Sequence, residues 1–176
     1  MRKNLLIEEI GTKHLLIVPI SKKYRKFIFE EFTSDVTTHM YPKPAKNIKE
    51  TDEFIINSLR GLRKGDNLQM VILNAKTSEF LGCVGLHHLD KKTPELGVWL
   101  KKSAHGKAYG KEAIIAMKSW ADKNLPYDYL LYPVVDKNIP SRKIPELLGA
   151  KIAREYNETN LSGIKHHLLE YRIYKK

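Results

Sequence analysis

"ELGVWLKKSAHGKAYGKEAI", residues 95–114, decides how this chain is read. An apolar strand pattern runs through a short basic stretch holding Gly106 and Gly110 and goes straight into an amphipathic helix. A strand that only has to turn can use Asn-Gly or Pro-Gly and stop. Here backbone N–H groups gather beside Lys107 and Lys111 at the positive end of a helix dipole, and that arrangement suits an anion.

Outward from this stretch, the chain sorts into a small set of elements. "HLLIVPI" reads as a strand ending at Pro19. "SKKYRKFIFEEF" reads as a helix with Ser21 as its cap and Tyr24, Phe27, Ile28 and Phe32 at helical spacing. "TSDVTTHMYPKPAKN" has two prolines and no period, so it is a loop with room for one helical turn. "IKETDEFIINSLRGLRKG" is a second helix with Phe54, Ile55, Leu59 and Leu62 on one face, closed by Gly65. Three strands follow in residues 67–100, with turns at 74–78 and 91–94. The third helix runs from about Gly110 to Lys123 on a stripe of Ala113, Ile114, Met117, Trp120 and Ala121. "DYLLYPVV" is a strand, "DKNIPSRKIPELLGAK" a short helix closing at Gly149, and "AKIAREYNE" and "HHLLEYRIY" an antiparallel pair. The expectation is a mixed α/β (α+β) fold. It has a central, mostly antiparallel, twisted sheet of about seven strands, flanked by about four helices.

Composition narrows the class. The chain's 176 residues, 42% of them hydrophobic, suffice for a single domain over 1–176 and not for two. No apolar run nears the roughly 18 residues of a membrane helix, and Glu8 and Glu9 cut the opening apolar segment too short for a secretory signal. The single cysteine, Cys83, excludes an internal disulfide and fits a reducing cytoplasm. It sits in "FLGCVGL" as a small buried residue rather than a catalytic thiol. A formal charge of +11 favours phosphates, RNA, ribosomal surfaces or acidic peptides as partners and disfavours a polycationic substrate. The basic residues are scattered, which argues for a solvated surface over a dedicated nucleic-acid face.

At this point a resemblance can be stated. "IGTKH" with "TKHLLIVPI", the Gly-x-x-Gly-Leu hairpin in "FLGCVGLHHLD", the stretch "ELGVWLKKSAHGKAYGKEAIIAM", and "VVDKNIPSRKIPELLGAK" follow one another in register. Together they resemble the GCN5-related N-acetyltransferase (GNAT) superfamily, and within it the branch of ribosomal-protein N-terminal acetyltransferases. The resemblance implies acetyl-CoA as cosubstrate, its pyrophosphate held by amides of His105, Gly106, Lys107, Ala108, Tyr109, Gly110 and Lys111. It implies fourth and fifth strands that splay apart around the pantetheine arm, with backbone contacts from Val98 and Leu100. Pro133, lacking an N–H, suits a strand facing such a gap. The family pattern places Gln or Arg first, then two residues, Gly, one residue, and Gly or Ala. Here His105 stands first and Ala108 takes the inner glycine place. A methyl at Ala108 is tolerated at negative φ and costs about 1 kcal/mol at positive φ.

The implied reaction is direct attack of a primary amine on a thioester. An α-amine titrates near about 7.7–8.0 and a lysine near about 10.4, so a base has to take a proton at neutral pH. Glu95 stands where similar enzymes often carry a glutamate; His87, His88 or water are the alternatives. Ser141 matches the Ser of the Asn-x-x-Ser segment and is the candidate partner of the departing sulfur, with Asn138 as helix cap and contact to the coenzyme arm. Pro145 should kink or shorten that helix. Neighbouring histidines on a strand point to opposite faces, so the pairs 87–88 and 166–167 are not expected to hold a metal. The acceptor is a protein N-terminus or a small amine, chosen by "TSDVTTHMYPKP" and the loop near "YNETNLSG". A non-catalytic acyl-CoA-binding module, or a basic ribosome- or RNA-associated protein, are the competing readings. Oligomeric state is not legible.

Overall fold

The computed structural model describes residues 4–175; the expected domain over 1–176 extends past these at residues 1–3 and 176. Eight strands form one sheet in the order β1-β2-β3-β4-β5-β6-β8-β7. They are β1 (Ile10–Gly11), β2 (Leu15–Pro19), β3 (Asn67–Asn74), β4 (Phe80–His87), β5 (Glu95–Leu100), β6 (Tyr129–Val135), β7 (Lys151–Thr159) and β8 (Lys165–Tyr174). The α-helices are α1 (Arg25–Glu31), α2 (Ser34–Thr37), α3 (Ile48–Lys64), α4 (Tyr109–Asn124) and α5 (Ile139–Leu147). The sheet has one strand more than the seven expected, because the two residues of β1 are too few to show a period. The extra helix, α2, is the single turn inside the proline-bearing loop, capped by the Thr33 hydroxyl accepting from Val36 N–H.

Local chemistry explains the boundaries. Asn47 caps α3 by accepting from the N–H groups of Lys49 and Glu50, and Gly65 closes it in the left-handed region. On its inner face Ile55 and Leu62 are buried, whereas Phe54 is partly exposed. Ser21 does not cap a helix: it precedes a 3-10 turn, Lys22–Tyr24, and its hydroxyl makes no capping bond. Along α4, Ala113, Ile114, Met117, Trp120 and Ala121 are all buried, as the 3.6-residue stripe requires.

The helices divide between the two faces of the sheet. α4 packs against β4 and β5 on one face. α1 and α3 cover the other, where the rings of Phe32 and Trp99 lie 4.8 Å apart. In the hairpin of β3 and β4, Gly82 is needed for close approach, since a Cβ there would overlap the Trp99 carbonyl oxygen. The β4–β5 pair is complete, from Gly82↔Leu100 to His87↔Glu95. Among the described residues, β5 and β6 are the one parallel pair, and they meet only at Glu95↔Leu131.

Candidate active site

The interruption between β5 and β6 creates the site. Leu131 N–H donates to the Pro94 carbonyl at 2.8 Å, and beyond that bond the two strands part. Antiparallel pairing alternates, and Lys101 N–H bonds the Leu81 carbonyl at 2.8 Å. Counting back from that bond, the main-chain groups of Val98 and Leu100 point away from β4 into the gap. Pro133 is paired with Glu170 of β8 on its far side, so its missing N–H faces the same gap and costs no ladder bond. A cavity of about 750 Å³ fills the space and reaches under the loop of residues 39–45.

At one end of the wedge lies the basic loop. β5 ends at Leu100 and is followed by a 3-10 turn, Lys102–Ala104, with Ala104 buried. Gly106 has φ +75°, and a Cβ there would meet nothing within 4 Å. Ala108 adopts φ +60°, ψ 9°, the left-handed region, so the costlier of the two cases for its methyl applies. It serves as N-cap of α4 without a side-chain hydrogen bond, which leaves the amides of the first turn, from Tyr109 through Lys111, without a side-chain cap. His105 is exposed yet turns back on the strand end. Its Nε2–H donates to the Leu100 carbonyl at 2.9 Å and ties the loop to the strand end. Of the two expected pantetheine contacts, Leu100 therefore has its carbonyl already engaged, whereas no such side-chain bond falls on Val98.

An acidic residue in the first turn of α4 would oppose an anion, yet Glu112 is drawn aside. Its carboxylate accepts from Thr12 Oγ1 at 2.7 Å, His14 N–H at 2.9 Å and His14 Nδ1 at 2.9 Å. Burial pushes its carboxyl upward, but these bonds outweigh burial and hold it below the usual range. The charge is spent on the β1–β2 turn.

Across the gap, α5 brings up Ser141. Asn138 caps this helix by accepting from Ser141 N–H at 3.3 Å. Pro145 leaves the Ser141 carbonyl without its helical donor, and α5 ends at Leu147 after nine residues. The Ser141 hydroxyl is not spent on the backbone: its Oγ lies 2.9 Å from the Tyr132 hydroxyl. Tyr132 is 3% exposed, and burial, only partly offset by the bond to Ser141, pushes its hydroxyl up to about 12.

At the apex sits Glu95, half-buried and facing His87 of β4. Burial raises its carboxyl above the ordinary value; nearby His88 works against this, and Glu158 and Glu170 add to it. Burial, with His88 adding to it, lowers His87 below the ordinary imidazole value and favours its neutral form. His88 leaves the strand at φ +59° and does not line the cavity. Among the described residues, no group of three His, Cys, Asp or Glu is placed to hold a metal ion.

Three further lining residues were not singled out by the sequence: Tyr132, Glu158 and Asn160. Asn160, 6% exposed, donates to the Met40 carbonyl at 3.2 Å and accepts from the N–H groups of Ser162 and Ile164 at 3.0 and 2.9 Å. Leu161 N–H donates to the Tyr41 carbonyl at 3.0 Å. These bonds clip the β7–β8 turn to the loop before α3, and the two segments become one wall. The signal for Asn160 was present in "NETNLSG" as a turn residue; its long-range partner was not.

The site is thus a sheet split between two neighbouring strands, with an uncapped basic helix N-terminus at one end and a half-buried carboxylate at the other. The chain belongs to the acetyltransferase (GNAT) family, whose domain model matches residues 14–151. Solved structures share the fold at low identity. The ribosomal-protein alpha-N-acetyltransferase RimL in complex with coenzyme A aligns with TM-score 0.85 and 12% identity, covering 95% of this chain and 98% of that one. A GNAT-family acetyltransferase from Bacillus anthracis aligns with TM-score 0.80 and 17% identity over 96% and 99%. A GCN5-related N-acetyltransferase from Brucella melitensis aligns with TM-score 0.78 and 13% identity over 96% and 79%. No curated protein matches the sequence. No helix among the described residues is long and apolar enough to cross a membrane.

Proposed function

We propose that this protein transfers the acetyl group of acetyl-CoA to a primary amine, by direct attack of the amine on the thioester, and that the amine is a polypeptide N-terminus. The single observation carrying this reading is the wedge between β5 and β6, paired only at Glu95↔Leu131, with Ser141 on its far wall. The main-chain groups of Val98 are free to pair with an amide-bearing arm as a further strand. The amides of Gly106 through Lys111 sit at the N-terminus of a 16-residue helix, beside the ammonium groups of Lys107 and Lys111, and receive the pyrophosphate.

The chemistry follows from where the protons go. Glu95, its affinity for a proton raised by burial, takes one from the incoming ammonium. The amine lone pair forms the new C–N bond as the C–S bond breaks, and the nitrogen gives its remaining extra proton to water to leave the neutral amide. The departing thiolate, whose thiol titrates near about 8.5, takes a proton from the Ser141 hydroxyl, which is replenished through Tyr132 or solvent. The preference for a polypeptide over a small amine is supported by the size of the cavity and by its opening beneath two surface loops joined through Asn160. It also accords with the chain's likeness in fold to RimL.

The competing reading, a module that holds acyl-CoA without turnover, draws on Ala108 at positive φ and on the engaged Leu100 carbonyl. Titration calorimetry with acetyl-CoA, followed by thiol-release assays over peptides and small amines, separates the two. Binding with acceptor-dependent thiol release supports the transferase. Binding with no release for any amine supports the module.

A further inference from the structure

Glu95, Gly97 and Trp99 alternate along one face of β5, and the register sets them opposite His87, Gly85 and Cys83 of β4. Two glycines thus lie side by side on the cavity floor, between a carboxylate and an indole. They are not equivalent. A Cβ on Gly85 would come within 2.5 Å of His87 Nε2 and 2.9 Å of Gln69 Oε1, so that space is already filled. A Cβ on Gly97 would meet no atom within 4 Å. The floor is therefore open above Gly97 alone. Same-face neighbours on a strand stand about 6.6 Å apart, so Gly97 lies midway between Glu95 at one end of the recess and Trp99, its ring tilted against that of Phe32, at the other.

Those ends differ in chemistry. The Glu95 end, with Glu158 nearby, receives a cation. The other end is aromatic, and Phe29, Met40 and Phe54 also line the cavity. A residue whose α-amine sits at Glu95 would carry its side chain one same-face step along the strand, over Gly97 and toward the aromatic end.

We propose that Gly97 opens a subsite for the first side chain of the acceptor, between Glu95 and the Phe32–Trp99 pair, and that this subsite selects N-termini whose first residue is uncharged and apolar. The inference rests on the reading above that an amine is acetylated beside Glu95. An acidic first residue would be held against Glu95 and Glu158, and a small polar one would leave the aromatic recess unfilled.

The test uses short synthetic peptides that differ only in their first residue (Leu, Phe, Ser or Asp), with wild type, Gly97→Ala and Gly97→Val. Gly97 does not need positive φ and has free space above it, so both variants fold, with thermal melting as the control. In wild type, kcat/KM for the Leu and Phe peptides exceeds that for the Ser peptide by about tenfold. Gly97→Val lowers the Leu and Phe values by about tenfold and the Ser value by less than about threefold, with acetyl-CoA affinity unchanged by calorimetry. Gly97→Ala shifts in the same direction by less. Equal rates across first residues, a preference for Ser or Asp, a uniform loss in the variants, or a loss carried by acetyl-CoA affinity would each overturn the subsite while leaving amine acetylation standing. Transfer to no peptide and no small amine, with acetyl-CoA bound, would overturn both.

Discussion

The hydroxyls of Tyr132 and Ser141 lie 2.9 Å apart, joining the strand on one side of the wedge to the helix that follows it. A serine in the first turn of a helix commonly bonds its own backbone. This one is held across to a buried tyrosine, which orients its hydroxyl.

Removing that hydroxyl should therefore affect chemistry and spare binding. Ser141→Ala is expected to lower kcat by about 10²-fold with acetyl-CoA affinity nearly unaltered. Tyr132→Phe keeps the Ser141 hydroxyl but frees it to rotate, so the loss should be smaller. Stopped-flow thiol release and calorimetry on the two variants check both expectations; an unchanged rate in Ser141→Ala would remove its proposed acid role.

Under its proposed role as base, Glu95 links activity and stability in opposite senses. Burial raises its folded-state pKa above the ordinary carboxyl value, so the folded protein binds this proton more tightly than the unfolded chain does. Stability therefore falls as pH rises through the interval between the unfolded and folded values. Glu95→Gln should raise the melting temperature at neutral pH, and the gain should vanish below about pH 4, where the unfolded carboxyl is protonated as well. The same variant should lose about 10²-fold in kcat/KM and the acidic limb of its pH profile. A wild-type acidic limb at or below the ordinary glutamate value would contradict the assignment.

The loop before α4 offers two substitutions of opposite sign. Gly106→Asp places a negative charge and a Cβ at φ +75°, and should weaken acetyl-CoA binding by at least about tenfold. Ala108→Gly relieves a methyl at φ +60° and should stabilise the fold by up to about 1 kcal/mol, with affinity equal or improved. Calorimetry and thermal melting report the two effects separately.

Asn160 is the clip between the β7–β8 turn and the loop before α3. Asn160→Ala breaks its bonds to Met40, Ser162 and Ile164 and should cost about 1–3 kcal/mol of stability. In the folded population, KM for a peptide acceptor should rise severalfold while that for acetyl-CoA stays constant. A change confined to acetyl-CoA would show that the clipped wall does not serve the acceptor.

Much of this architecture could be read from local patterns. The α4 stripe, the Gly65 stop, the strand ending at Pro19 and the Asn138 cap each depend on residues within a turn or two of one another, and helical and strand periods report those directly. The basic loop and the segment around Ser141 were legible for the same reason. Ser21 misled because a cap residue announces a helix start without showing whether the first turn is α or 3-10.

Long-range pairing carried the rest. Ala108 has the same side chain at either sign of φ, and only the closure of the loop onto β5, through His105 and Leu100, sets it at +60°. The partnership of Tyr132 with Ser141, the clip at Asn160, and the open floor at Gly97 beside a filled one at Gly85 all arise from the register of strands distant in sequence. The order of residues determined which segments would be strand, helix and anion-binding turn, because those choices are settled by neighbours along the chain. Which side chains share the cavity was decided only when the sheet closed around a gap between β5 and β6, because that depends on pairing and packing that no local window contains.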